Sequence, residues 1–178
     1  MRERVVHLTH SAEKALKNAY AVLKYETPLK NADCGRLCNA VCCSGDENDC
    51  MFLLPFEDEL VKQNGFAVCD TDGNYGFSAV TCKGVCRRNK RPLACRFFPL
   101  FPAITEKNGK DTVTVIIDPR ASICPLTLEN AVIDRSFRRA VHKAGLYLLC
   151  DDEIRAYLKK ITAELLEIEE LKNKLLQS

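Results

Sequence analysis

The chain has 178 residues, of which 47% are hydrophobic and 28% are charged, and its formal net charge is +2. This length suits one domain of moderate size with a substantial core, and the near balance of charge excludes a bulk polycation for nucleic acid and a disordered acidic tail. Because the first ten residues lack the apolar run of a secretory signal and no apolar stretch approaches the roughly 18 residues that span a bilayer, we expect a cytoplasmic protein without a membrane partner.

The first half of the chain predicts two helices and a hairpin around its cysteines. Residues 11–25 carry apolar side chains at helical spacing. Residues 53–65 predict a second, short helix, with Pro55 at its first position. Residues 66–80 are typical of two short strands around a turn at 71–74.

The second half predicts one more hairpin and then two helices. The hairpin covers 99–118, with Asn108-Gly109 in its turn. Helices are predicted over 127–148 and from Asp151 to about residue 176. The last helix has a nearly heptad apolar line, which indicates packing on the preceding helix or, alternatively, a homodimer or protein-partner contact. The line consists of Ile154, Leu158, Ile161, Leu165, Ile168, Leu171 and Leu175.

These elements predict an α+β fold that is mainly helical, with two small β-hairpins around a cysteine-rich metal site and a C-terminal helix pair. Residues 1–126 would form the cysteine-cluster metal-binding domain, which includes the N-terminal helix. Residues 127–178 would form the helical pair packed on it, so that the whole chain is a single compact unit.

Cysteine is the outlier of the composition. The chain has 11 cysteines, and the odd number argues against a closed set of disulfides. In a reducing compartment this density is typical of metal binding or thiol chemistry, with buried apolar cysteines as a further alternative. They are Cys34, Cys38, Cys42, Cys43, Cys50, Cys69, Cys82, Cys86, Cys95, Cys124 and Cys150.

The spacing of the first cysteines limits how they can share a metal. Cys34, Cys38 and Cys42 form C-x3-C-x3-C, and no C-x2-C of a standard zinc knuckle occurs in the chain. On a straight helix, Cys34 and Cys42 would be roughly 12 Å apart along the axis. Two thiolates on one tetrahedral zinc are only about 3.8 Å apart, given a Zn–S distance near 2.3 Å. Either this segment wraps, or its cysteines divide between sites.

The second cysteine block, residues 82–99, is basic and contains no Asp or Glu. Its positive side chains would offset the charge of a metal thiolate centre and favour the thiolate form. A nucleic-acid surface with Phe97 and Phe98 as stacking platforms is an alternative, as are core phenylalanines and a solvated basic loop. The basic residues are Lys83, Arg87, Arg88, Lys90, Arg91 and Arg96.

The runs CGRLCNAVCC and CKGVCRRNKRPLACRFFP, followed by Cys124-Pro125, resemble a cysteine-cluster domain family described as zinc- or iron-chelating. Related domains occur in flagellin lysine methylases. The family pattern begins C-x2-C-x3-CC, whereas the first gap here has three residues. The resemblance covers about residues 30–130. It implies metal ligation by Cys34, Cys38, Cys42, Cys43, Cys82, Cys86, Cys95 and Cys124.

Three classes of function are compatible with these patterns. A protein that holds zinc or an iron–sulfur cluster through cysteine thiolates is favoured, and the surplus of thiols favours iron–sulfur as the native state. A cluster-dependent protein-modifying enzyme, methylase-like, is an alternative, although the chain lacks G-x-G-x-x-G and a recognisable nucleophile pair. A nucleic-acid or partner-binding module using the basic residues 83–96 is the third, disfavoured by the charge balance.

Overall fold

A computed structural model of the chain describes residues 8–30, 32, 34–43, 50–64, 66–70, 78–81, 86–128 and 132–176. The fold is α+β and mainly helical, with two small antiparallel sheets, as the sequence predicts. The elements in chain order are α1 (His10–Val22), β1 (Cys50–Phe52), α2 (Asp58–Lys62), β2 (Ala67–Asp70), β3 (Ser78–Thr81), α3 (Leu93–Phe97), β4 (Leu100–Lys107), β5 (Lys110–Ile117), α4 (Arg135–Leu148) and α5 (Asp152–Leu176).

The hairpin β4–β5 matches its prediction closely. Its two strands pair in register from Leu100 opposite Ile117 to Lys107 opposite Lys110. The two-residue turn has Asn108 at φ 54° and Gly109 at φ 71°. Positive φ at both positions is the requirement of a type I′ turn, which Asn-Gly meets better than most pairs.

The other sheet has three strands, in the order β1-β3-β2. Strands β2 and β3 form the predicted hairpin, whose turn at 71–74 lies outside the described residues. Strand β1, a three-residue element, pairs antiparallel with β3 on its other side and was not predicted. A small apolar cluster of Leu53, Val61 and Val80 packs next to this sheet.

Two predicted helices are shorter than expected. Helix α2 begins only at Asp58, because Phe56 lies at φ 66° and the Glu57 carboxylate turns back to accept the Leu54 N–H at 3.0 Å. The prediction of helix over 55–57 was therefore wrong. Helix α4 begins at Arg135 rather than at 127, since the Asp134 carboxylate caps it by accepting the Ser136 N–H at 2.6 Å.

The main core lies between the long helices and the hairpin β4–β5. Helix α1 packs on α4, and both α4 and α5 pack on the hairpin. Gly145 allows the close approach of α4, because a Cβ there would lie 2.7 Å from Val113 Cγ1 and 2.9 Å from Pro102 Cβ. The largest fully buried side chains of this core are Phe97, Phe137, Leu16, Leu23, Leu93, Leu100, Leu148, Ile154, Leu158 and Leu165.

Helix α5 matches its predicted bounds and is fixed at its start by Asp151. The Asp151 carboxylate accepts the Ile154 N–H at 3.1 Å and the Ser11 hydroxyl at 2.7 Å, which ties α5 to the start of α1. The apolar line of α5 is buried as far as Leu165, whereas Leu171 and Leu175 are exposed. Within the described ranges, none of the helices combines the length and the apolarity needed to cross a bilayer.

Candidate metal-binding site and the adjoining cavity

Residues 34–43, the cysteine segment, do not form a straight helix. Two 3-10 turns, Cys34–Arg36 and Val41–Cys43, are separated by Asn39 and Ala40, which both lie at φ 52°. Two consecutive residues in the left-handed region cannot continue a right-handed helix, so the backbone changes direction between the two 3-10 turns. Of the two arrangements left open by the spacing, the described segment adopts the wrapped one.

Wrapping brings distant cysteines to one small cavity of about 50 Å³. Its wall includes Cys34, Cys38 and Cys42 from the cysteine segment, Cys95 from helix α3, and Cys124. Cys124 is nearly buried, in a tight turn closed by its N–H donating to the Ala121 carbonyl at 2.9 Å. The five cysteines on this wall come from three separate parts of the chain.

A second and larger cavity, of about 400 Å³, shares part of this wall. Cys43 and Cys86 border the large cavity, and Cys42 and Cys95 border both. The Sγ atoms of Cys42 and Cys43 are 4.0 Å apart, close to the separation of about 3.8 Å that two thiolates have on one zinc. Adjacent residues can therefore offer both sulfurs at one place.

The thiols of this region influence one another. The pKa of Cys42 is raised by its hydrogen bond with Cys43, by burial and by the charges of Cys43, Cys34 and Cys38. The pKa of Cys124 is raised chiefly by burial, with a smaller contribution from Cys38. Crowded sulfurs therefore resist ionisation when no cation lies among them.

Three of the predicted basic residues have distinct roles. Arg91 borders both cavities, and although burial lowers the pKa of its guanidinium, the hydrogen bond and charge of Cys86 raise it overall. The Arg88 guanidinium donates to the Glu26 carbonyl. Arg96 is buried, and it donates to the Arg91 and Asn89 carbonyls at 2.9 and 2.8 Å. The interpretation as a solvated basic loop is therefore wrong for Arg96.

The predicted phenylalanines also differ from each other. Phe97 is fully buried in the core, and Phe98 is half-buried and borders both cavities. Phe97 is therefore a core residue and not an exposed platform for nucleic-acid bases.

Glu57 is a central residue of the site region that sequence reasoning missed. It is fully buried, and its carboxylate accepts the Leu93 N–H at 2.6 Å, the Leu54 N–H at 3.0 Å and the Tyr20 hydroxyl. Leu93 opens the helix α3 that carries Cys95. Glu57 thus joins α1, the turn before α2 and the helix that carries the candidate ligand Cys95. Two of its partners, Tyr20 and Leu93, are about 36 residues away in the sequence, so no local sequence pattern predicts these contacts.

The predicted ligands are brought together to different degrees. Cys34, Cys38, Cys42, Cys43, Cys86, Cys95 and Cys124 all border one or both cavities, and Cys82 lies outside the described residues. Within the described part of the chain, no three Cys, His, Asp or Glu side chains already stand in a metal-binding arrangement. Metal ligation would require these thiols to converge across the cavities by side-chain and loop movement, and an all-sulfur donor set fits zinc or an iron–sulfur cluster.

Comparison of the chain with models of protein families, with curated proteins and with solved structures gives no match. The resemblance to the cysteine-cluster family therefore depends on the motif residues alone.

Proposed function

We propose that this protein binds zinc or an iron–sulfur cluster through cysteine thiolates. The observation that carries the proposal is the wrapped cysteine segment, which puts Cys34, Cys38 and Cys42 on one cavity wall with Cys95 and Cys124. Thiols from three separate parts of the chain converge on this wall, and thiolates are suitable ligands for both kinds of centre. The motif resemblance supports the same function.

The division of the ligands follows the cavity walls. The five cysteines of the small cavity are the first candidates, and Cys43 and Cys86 are the further ones. Seven described candidates exceed the four ligands that a single zinc or a single iron–sulfur cluster takes, which favours two centres. A bound zinc would stabilise the fold, and a cluster would add one-electron chemistry.

The rest of the site would support such a centre. Arg91 beside Cys86 would offset part of the negative charge of four thiolates on a divalent metal, which is formally −2. Glu57 holds the first residue of the helix that carries Cys95, and such outer contacts orient ligands. The proposal includes a reducing, cytoplasmic setting, in which so many thiols stay available for metal.

The test is the metal content of anaerobically purified protein, measured as iron, acid-labile sulfide and zinc per chain. We expect iron with sulfide and visible absorbance, or zinc without absorbance. Zinc alone at one or two equivalents would exclude the iron–sulfur form, and the absence of every metal from folded protein would contradict the proposal.

A matched pair of variants tests the location. Cys95→Ser should lose most of the metal, because Cys95 borders both cavities. Cys150→Ser should retain it, because Cys150 is exposed, with its thiol against the Leu146 carbonyl in the turn between α4 and α5. Equal metal content in the two variants would contradict the proposed site.

A further inference from the structure

The large cavity has the dimensions of a small-molecule site and is not explained by metal ligation. Its volume of about 400 Å³ lies within the range of roughly 300–1,000 Å³ that is typical of ligand pockets. It is lined by residues of strand β1, helix α3, strand β4 and helix α5, and only four of its lining residues are cysteines. A metal ion held by these cysteines would leave the other walls free for another occupant.

Six aromatic side chains stand on the remaining walls among aliphatic ones. The aromatic residues that border the cavity are Phe52, Phe66, Phe97, Phe98, Phe101 and Tyr157. Two aromatic rings that pack offset or edge to face stabilise each other by more than the apolar area that they bury. These walls therefore favour a ligand with a planar aromatic body over an aliphatic one of equal size.

The polar groups of the wall suggest where the ligand is anchored. Arg120 is committed, because its Nε and Nη2 donate to the Asp118 carboxylate at 2.9 and 2.7 Å. Arg91 borders the cavity, and its guanidinium has five N–H groups. Its enclosed Nε has no hydrogen-bond partner among the described residues. An acceptor oxygen on the ligand would satisfy Arg91 in a way that the protein does not.

The charge of the cysteines that border the cavity determines whether the acceptor oxygen of the ligand is charged or neutral. This argument rests on the proposed function, because it requires the cysteines to be metal-bound thiolates. Four thiolates on a divalent metal hold a formal charge of −2, and Arg91 is the cation beside them at Cys86. A carboxylate at this place would lie next to the like charge of the thiolates and would compete with them for the same guanidinium. An uncharged carbonyl accepts the hydrogen bond without that repulsion.

We propose that the large cavity binds an uncharged aromatic molecule whose carbonyl oxygen accepts a hydrogen bond from Arg91 and whose rings pack against Phe98, Phe101 and Tyr157. The metal centre then forms one wall of a small-molecule site, and the ligand lies directly beside Cys42 and Cys95.

The test is titration calorimetry on the metal-loaded, anaerobically purified protein with three probes. They are 2-naphthamide, its anionic counterpart 2-naphthoate, and 1-adamantanecarboxamide, which keeps the amide and lacks the aromatic rings. We expect one equivalent of 2-naphthamide to bind. We expect 2-naphthoate to bind at least about tenfold more weakly because of like-charge repulsion, and the adamantane amide to bind severalfold more weakly because it cannot stack.

The position of the probe is measured in the unaltered protein. Nuclear Overhauser contacts should join the ring protons of 2-naphthamide to the methyl groups of Met51 in strand β1 and Ile161 in helix α5, which both border the cavity. This readout needs no variant, and contacts to other methyl groups alone would overturn the proposal.

Two matched pairs of variants complete the test. Ala94→Phe fills the cavity from helix α3 and should weaken 2-naphthamide at least tenfold, whereas Ala156→Phe on the exposed face of α5 should not. Arg91→Gln should weaken it severalfold and increase the discrimination against 2-naphthoate, because it removes the cation that offsets the thiolate charge, whereas Arg87→Gln, at an exposed position off the cavity wall, should leave both unchanged.

Failure of this inference and failure of the proposed function have different signatures. If none of the probes binds to protein that carries metal, the cavity inference is overturned and metal binding stands. If the protein carries no metal but binds 2-naphthamide and 2-naphthoate equally, the proposed function has failed, and so has the selection of an uncharged ligand. Equal affinity in metal-loaded protein overturns that selection alone.

Discussion

The helical core and the cysteine segment are held in place by different means. In the core, side chains such as Leu16, Phe137 and Leu158 are completely buried between α1, α4, α5 and the hairpin. In residues 34–43, every residue is exposed or only half-buried, and the turns are closed by local backbone hydrogen bonds such as Cys43 N–H to the Ala40 carbonyl at 2.7 Å.

This difference indicates which part of the molecule a bound metal would stabilise most. Burial of apolar surface stabilises a domain by about 25 cal/mol per Å² and is the dominant stabilising term. The side chains of the core are completely buried and therefore receive this stabilisation. A segment without buried side chains has little to offset the entropy of being ordered. Metal ligation by several of its residues would supply that missing stabilisation.

The largest effect should come from the core. Phe137→Ala removes a fully buried ring and should lower the free energy of unfolding by about 3–5 kcal/mol, measured by urea titration. The loss should be the same with and without metal. Val132→Ala, at an exposed position before α4, should change stability by less than about 0.5 kcal/mol. If Phe137→Ala lowered the free energy of unfolding no more than Val132→Ala does, the core would not be the more strongly stabilised of the two regions.

Removal of metal should act on the other region. A metal present at a hundred times its dissociation constant stabilises the folded state by about 2.7 kcal/mol, so chelation should lower the melting temperature by roughly 5–11 °C. Amide exchange should accelerate across residues 34–43, while α4 and α5 remain protected. An unchanged melt after verified metal removal would contradict a structural role for the metal.

Glu57 links the two regions, and its replacement should have an intermediate effect. Glu57→Gln presents an amide group to the Leu54 and Leu93 N–H donors and should cost about 1–3 kcal/mol. Exchange should also accelerate in helix α3, whose first N–H loses its carboxylate partner. Glu59→Gln, an exposed neighbour on α2, is the matched control and should be nearly neutral.

The pH dependence of the same variant has a definite sign. Burial is the largest influence on the pKa of Glu57 and raises it, although the hydrogen bonds from Tyr20, Leu93 and Leu54 act in the opposite direction. The folded state therefore keeps a proton that the unfolded state loses near pH 4.3. The contribution of this group is fully present below about pH 4.3 and is lost as pH rises through the folded pKa. The advantage of wild type over Glu57→Gln should shrink over that interval.

The smallest effect should come from a single added methyl group in the core. Gly145→Ala improves helix propensity by up to about 1 kcal/mol but overpacks α4 against Val113 and Pro102, which costs about 1–3 kcal/mol. We expect a net loss of about 0–2 kcal/mol in urea titration. A clear gain in stability would mean that α4 can move away from the hairpin, so that the core is looser than its burial indicates.

Elements with local causes could be predicted from the sequence. The Asn108-Gly109 pair by itself determines the turn of the hairpin β4–β5. Asp151 determines where α5 begins, and the regular spacing of its apolar residues determines which face is buried. The predicted start of α4 at residue 127 was wrong, because Pro125–Thr127 forms a separate 3-10 turn and Asp134 caps the helix.

What could not be predicted depends on distant partners. Strand β1 forms because it can pair with the free edge of β3, which lies almost 30 residues later in the sequence. Glu57 is buried among donors that no spacing rule connects. In the cysteine segment, the cysteines identified the candidate ligands, but the direction of the chain depends on Ala40 at positive φ, a residue type with no local preference for that conformation.

The wall of Cys42 and Cys95 between the two cavities has a thermodynamic consequence. If the two proposed occupants interact through this wall, their linkage is reciprocal: the factor by which the metal centre changes the affinity for the aromatic ligand is the factor by which that ligand changes the affinity for the metal. The abundance of a small molecule would then set the metal occupancy of the protein, and the metal supply would set the fraction of protein that holds the small molecule.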